Sequence, residues 1–143
     1  MLLKAGLWSR SSFGLDNSMK PMRIMIVDDE APFTRLLKLG LEQKGRYLVQ
    51  TENDPHRALR AAEQFLPDLV LMDVMMPDLD GGVLAAQFQA SPVLGQVPII
   101  FLTAAAKREE VRAHQGKIGG FPFLAKPVNV KEITHCIHQH LGA

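Results

Sequence analysis

Two stretches of this chain, DLVLMD at 68–73 and VPIIFLT at 97–103, carry apolar residues at every core position rather than at alternate ones. A strand that reads this way is buried on both faces, and that happens in parallel sheets covered by helices on two sides. The segments around them fit that frame. MRIMIVDDE (22–30) reads as a strand ending in acids, YLVQT (47–51) as a short strand, and FPFLA (121–125) as a fifth. Between them lie helical stretches. Phe33, Leu36, Leu37, Leu39 and Leu41 recur near helical spacing over 32–45, with Gly45 as a C-terminal cap. Asp54 and Pro55 open a helix that Pro67 closes, GGVLAAQFQA covers 81–90, KREEVRAHQG covers 107–116, and Asn129 caps a last helix over 130–141.

Five strands alternating with five helical stretches predict an α/β fold, a doubly wound five-stranded parallel sheet in the order 2-1-3-4-5. Residues 1–21 read as an N-terminal extension, flexible and disordered, and 22–143 as the folded domain. Lys and Arg total 16 against 15 Asp and Glu, so no net field recruits nucleic acid or an anionic membrane. No apolar run approaches the ~20 residues of a membrane span, and the lone Cys136 excludes an internal disulfide. These features predict a cytoplasmic protein.

Ligands of open α/β sheets gather at the carboxyl ends of the strands, where strand order reverses. The first strand ends in Asp28 and Asp29, the third in Asp73 and the fourth in Thr103, while Lys126 follows the fifth. The inferred order sets the acid pair beside Asp73. Three crowded carboxylates either hold protons more tightly or share a cation. An all-oxygen set in a wet cleft favours Mg²⁺. A carboxylate, a hard cation, a lysine and a hydroxyl together suit phosphoryl acceptance, with Asp73 attacking in line.

The motifs IMIVDDE, LVLMDVMMPDLDG, IIFLTA and FLAKP, in this order and at these separations, resemble the motif set of two-component response regulator receiver domains over roughly residues 22 to 141. The resemblance implies a flavodoxin-like sheet, with Asp73 as phosphoacceptor, Asp29 as a direct Mg²⁺ ligand, Asp28 acting largely through water, and the backbone carbonyl of Met75 completing the protein's share. It further implies that Lys126, Thr103 and the backbone N–H of Ala104 contact phosphoryl oxygens, that the bond to Pro127 is cis, and that Thr103 and Phe123 are switch residues. Phe123 also reads as plain core or half-exposed surface.

The implied function is a signalling domain rather than an enzyme on other substrates. It accepts phosphate from a histidine kinase or phosphotransfer protein and catalyses its own phosphorylation and dephosphorylation. With no effector segment after Ala143, it reads as a stand-alone, chemotaxis-type regulator acting on a protein target or in a relay, as a monomer or a phosphorylation-dependent dimer. Met75 and Ala105 offer no side chain to orient water, so slow dephosphorylation is predicted.

Two alternatives come from other classes. A Mg²⁺-dependent aspartyl-phosphate phosphohydrolase would want an acid where Met75 stands. A flavin- or nucleotide-binding domain would want glycines or hydroxyls where VDDE stands. Pro122 is tolerated because the fifth strand is an edge, and Gly119 and Gly120 permit unusual backbone angles beside it. In the last helix, His135, Cys136, His138 and His140 are borderline metal ligands, but helical spacing splits them, and solvated histidines are the default.

Overall fold

A computed structural model describes residues 20–104, 117–118 and 120–141. Most of the N-terminal extension, the helix expected over 107–116, and Ala105 and Gly119 lie outside the described residues. The strands are β1 (Met22–Val27), β2 (Tyr47–Glu52), β3 (Leu69–Asp73), β4 (Ile99–Thr103), β5 (Lys117–Ile118) and β6 (Phe121–Ala125). The described helices are α1 (Ala31–Glu42), α2 (Pro55–Phe65), α3 (Gly81–Ala90) and α4 (Val130–Leu141). The sheet order is β2-β1-β3-β4-β6-β5, so the five long strands run parallel in the order expected.

The continuous apolar runs have the predicted cause. Met25, Val27, Val70, Met72, Phe101 and Phe123 point to one side of the sheet, where Ala58, Ala62 and Phe65 of α2 and Leu84, Ala85 and Phe88 of α3 cover them. Ile24, Ile26, Leu69, Leu71, Ile100 and Leu102 point to the other, against Leu37 and Leu41 of α1 and Ile133 and Ile137 of α4. The central strands β1, β3 and β4 therefore alternate between two cores. Burial of one such side chain is worth about 1.5–3 kcal/mol, so neither face tolerates a polar residue except at the strand ends.

Local signals start the helices where expected. Asp54 Oδ1 accepts the N–H of His56 at 2.9 Å, and Asp80 Oδ1 accepts that of Gly82 at 2.6 Å. Asn129 and Glu132 form a reciprocal capping box at 2.8 and 3.2 Å. Two features depart from the reading of the sequence. Of the α1 leucines, Leu37 and Leu41 are buried, whereas Leu36 and Leu39 are 70% and 55% exposed, because only one i, i+4 stripe can face the sheet. The strand bearing Pro122 is also not the outermost. The two-residue β5 pairs antiparallel with it, Lys117 opposite Pro122 and Ile118 opposite Phe121, across a tight turn in which Gly120 takes φ +88°.

One glycine matters for the strand ends. After β3 the chain loops back so that Gly81 N donates to Val74 O at 2.9 Å. A Cβ on Gly81 would fall on the backbone oxygen of Asp73 and 2.8 Å from Cα of Val74. Backbone cannot yield as a flexible side chain can. Gly81→Ala is therefore expected to lower unfolding free energy by about 1–3 kcal/mol or more. Urea denaturation checks this, and an unchanged midpoint refutes it.

Candidate phosphoryl-transfer and metal site

Strand register assembles the site. Val27 lies opposite Met72, so Asp28, one residue on, emerges beside Asp73. Asp73 lies opposite Leu102, and Thr103 opposite Ala125, which delivers Lys126 to the same rim. Oxygens of Asp28, Asp29 and Asp73 all lie within 4.8 Å of one another. Asp28 is 0% and Asp73 4% exposed, while Asp29 faces solvent. The residues that the strand ends pointed to are thus brought together.

Lys126 is the cation that Asp28 and Asp73 share. Its Nζ donates to Asp28 Oδ2 at 2.7 Å and to Glu30 Oε1 at 3.0 Å, and lies 3.9 Å from Asp73 Oδ2. It also sits 4.5 Å above the ring centre of Phe33. The backbone holds the lysine in place. Lys126 N donates to Thr103 O at 2.9 Å, and the Lys126–Pro127 bond is cis. The sequence assigns neither Glu30 nor Phe33 to the site, although Glu30 directly follows the acid pair.

One ammonium does not neutralise this cluster. Burial, then the neighbouring Asp28 charge, lift the Asp73 carboxyl from its ordinary 3.8 to about 6, against the opposing pull of Lys126 and of the Met75 N–H at 3.2 Å. Burial also raises Asp28, despite its bonds to Lys126 and to Glu30 N. Lys126 runs the other way. Its own burial lowers its pKa, but the bonds to Asp28 and Glu30 outweigh this and the net value is raised. A buried acid so reluctant to ionise marks a shortage of positive charge. The donor set is carboxylate oxygen, which matches a hard divalent ion such as Mg²⁺.

The two adjacent acids differ in how their side chains are engaged. Asp28 gives one oxygen to Glu30 N and the other to Lys126. Asp29 has no side-chain hydrogen bond or ion pair among the described residues. An open groove of about 610 Å³, lined by Asp29 and by Met75, Met76, Pro77, Asp78 and Asp80, exposes Asp29 to solvent. The Met75 side chain is exposed there, and Ala104, just past Thr103, is exposed as well.

Thr103 is buried at the strand end, as is Phe123, which sits in the α2–α3 core behind it. Phe121 meets Phe101 edge-on at 5.3 Å. On α4, Nδ1 of His140 donates back to Cys136 O at 2.8 Å, with Cys136 Sγ at 3.7 Å, and His135 faces solvent. Among the described residues the aspartate trio is the group of three or more metal-ligating side chains that converges. None of the described helices is long and apolar enough to cross a membrane.

Comparison with known proteins agrees with this geometry. Residues 24–138 match the family model described as the response regulator receiver domain. The chain is 32% identical over 123 residues to the polar-differentiation response regulator DivK of Brucella anthropi, covering 85% of this chain and 98% of DivK. It is 38% identical over 113 residues to the alkaline phosphatase synthesis transcriptional regulatory protein PhoP of Bacillus subtilis, covering 78% of this chain but only 45% of PhoP. It therefore spans less than half of that longer regulator. Among solved structures, a response regulator from Desulfuromonas acetoxidans superposes with a TM-score of 0.72 at 26% identity, covering 85% of this chain and 97% of the other.

Proposed function

The chain belongs to the response regulator receiver domain family, and from that premise we propose that Asp73 is its phosphoacceptor and that a histidine kinase or phosphotransfer protein is the donor. The observation that supports this best is the buried Asp73, 4% exposed, with Asp28, Asp29 and Lys126 gathered around it and Asp29 lining an open groove. In our reading the receiver unit begins at Met22, the first residue of β1, with 1–21 an extension, and it works in the cytoplasm.

Asp29 and Asp73 would hold Mg²⁺ directly, with the Met75 carbonyl, while Asp28, whose oxygens are already engaged, would act through water. When bound, the ion would offset phosphoryl charge as a Lewis acid. The protein's own groups do the rest. A carboxylate oxygen of Asp73 forms the O–P bond as the N–P bond of a phosphohistidine breaks, and the leaving imidazole nitrogen keeps the electron pair and takes up a proton. Lys126 supplies positive charge next to the acceptor, and its neighbours, the Thr103 hydroxyl and the Ala104 N–H, would meet phosphoryl oxygens.

Phosphorylation adds roughly −1.5 to −2 charge. That charge competes with Asp28 and Glu30 for Lys126 and pulls on Thr103. In this scheme Phe123, buried behind Thr103, repacks and alters the surface around β6 and α4 that a target protein reads. Output is by protein–protein contact or onward relay.

Incubating the protein with acetyl phosphate and Mg²⁺ tests the reading. The expected result is one phosphoryl group per chain, absent when EDTA is present. With Met75 exposed and unable to orient water, the adduct should last minutes or longer. Sustained phosphate release would instead favour a phosphohydrolase, and no adduct at all would remove the proposal.

A further inference from the structure

The turn that carries Asp28, Asp29 and Glu30 is gripped from the end of β2. Asn53 directly follows that strand, and its side-chain amide donates to Asp28 O at 2.8 Å and to Thr34 Oγ1 at 3.0 Å. The preceding residue, Glu52, accepts the N–H of Asp28 through its backbone oxygen at 3.1 Å. Both backbone polar groups of Asp28 are therefore held by two successive residues of the neighbouring strand end. Thr34 extends the grip. It is 1% exposed, its hydroxyl donates to Ala31 O at 3.1 Å, and its N–H donates to Glu30 O at 3.1 Å. Asn53 thus bonds to one end of the Asp28–Ala31 turn directly and to the other through Thr34.

We propose that Asn53, acting with Thr34, is a positioning residue that sets the affinity of the aspartate cluster for its divalent cation. The inference rests on the reading of that cluster as a cation site. Asp28 is steered by its own side-chain bonds, to Glu30 N and Lys126. Asp29 has none among the described residues, so the backbone of the turn sets the position from which its carboxylate can reach toward Asp73. A ligand presented by a clamped backbone binds without first being ordered, whereas a loose one must be ordered on binding. Asn53 and Thr34 carry no charge, so their removal acts through position and leaves the field at the site nearly unchanged.

Calorimetric Mg²⁺ titration of the full chain at neutral pH tests this. Asn53→Ala is expected to weaken Mg²⁺ binding about ten-fold, the low end of what supporting partners of metal ligands contribute. Thr34→Val, which loses the hydroxyl, should shift in the same direction, and Thr34→Ser, which keeps it, should bind as wild type does. With acetyl phosphate, the Mg²⁺ concentration for half-maximal labelling should rise in step while the rate at saturating Mg²⁺ holds, a split that a general loss of folding does not produce. Urea unfolding in EDTA monitors folding separately. Unchanged Mg²⁺ affinity in a folded Asn53→Ala protein, or equal weakening by Thr34→Ser and Thr34→Val, overturns the positioning role alone. Wild-type protein that takes up no Mg²⁺ overturns the cation reading of the site itself, and this inference with it.

Discussion

Asp73→Asn is expected to abolish covalent labelling by acetyl phosphate in Mg²⁺ buffer, a loss of at least about a thousand-fold, as when a covalent nucleophile is removed from an assembled site. The two neighbouring acids are poor substitutes for different reasons. Asp28 is fully buried with both carboxyl oxygens already accepting hydrogen bonds, so neither can turn to attack. Asp29 is exposed to water and, among the described residues, forms no ion pair with Lys126, whereas Asp28, Glu30 and Asp73 do. Lys126→Met should be milder, roughly a hundred-fold, because it removes one stabilising charge and leaves the acceptor. The adduct should map to Asp73 by peptide mass. A phosphopeptide from any other position, or undiminished labelling of Asp73→Asn, is the outcome this assignment does not survive.

What the sequence made legible, and what it did not, follows from the range of the forces involved. LVLMD and IIFLT could be read as doubly buried strands because burial on both faces leaves a local mark, an apolar residue at every position. The acids and the lysine could be placed together because each directly follows a strand, and a parallel sheet aligns all such ends on one rim. Glu30 and Phe33 were missed for the opposite reason. Their contact with Lys126 joins residues 96 and 93 positions apart, and no local pattern records which nearby acid or ring an ammonium will choose. Asn53 left no signal either, since an asparagine after a strand reads as ordinary turn chemistry. The two-residue β5 is too short to show any period. The outward turn of Leu36 and Leu39 depends on which α1 stripe the sheet selects, and five leucine or phenylalanine positions in one helix leave that choice open.

The same substitution that removes phosphoacceptance should make the metal-free protein more stable at neutral pH. Asp73 holds its proton to about pH 6 in the folded protein, chiefly because it is buried and secondly because Asp28 is close, against 3.8 when the chain is unfolded. Below 3.8 the residue is protonated in both states and contributes nothing to the pH dependence. As pH rises from 3.8 to 6 the unfolded chain releases the proton and the folded chain does not, so stability falls across that window and stays low above it. Retention of a proton over about two further pH units corresponds to roughly 3 kcal/mol at ~1.4 kcal/mol each. The amide introduced by Asp73→Asn would keep an acceptor for Met75 N but set a neutral group near Lys126 in place of a carboxylate, so the gain should be about 2–3 kcal/mol at most. Urea unfolding in EDTA should show Asp73→Asn above wild type at pH 7 and the two converging near pH 4. Adding Mg²⁺ should narrow the gap at pH 7, because a cation that binds only the folded state raises wild-type stability and finds one fewer carboxylate in the variant. If Asp73→Asn is no more stable than wild type at pH 7 in EDTA, the crowded acids are not in conflict, and the case for a missing positive charge at this rim fails with them.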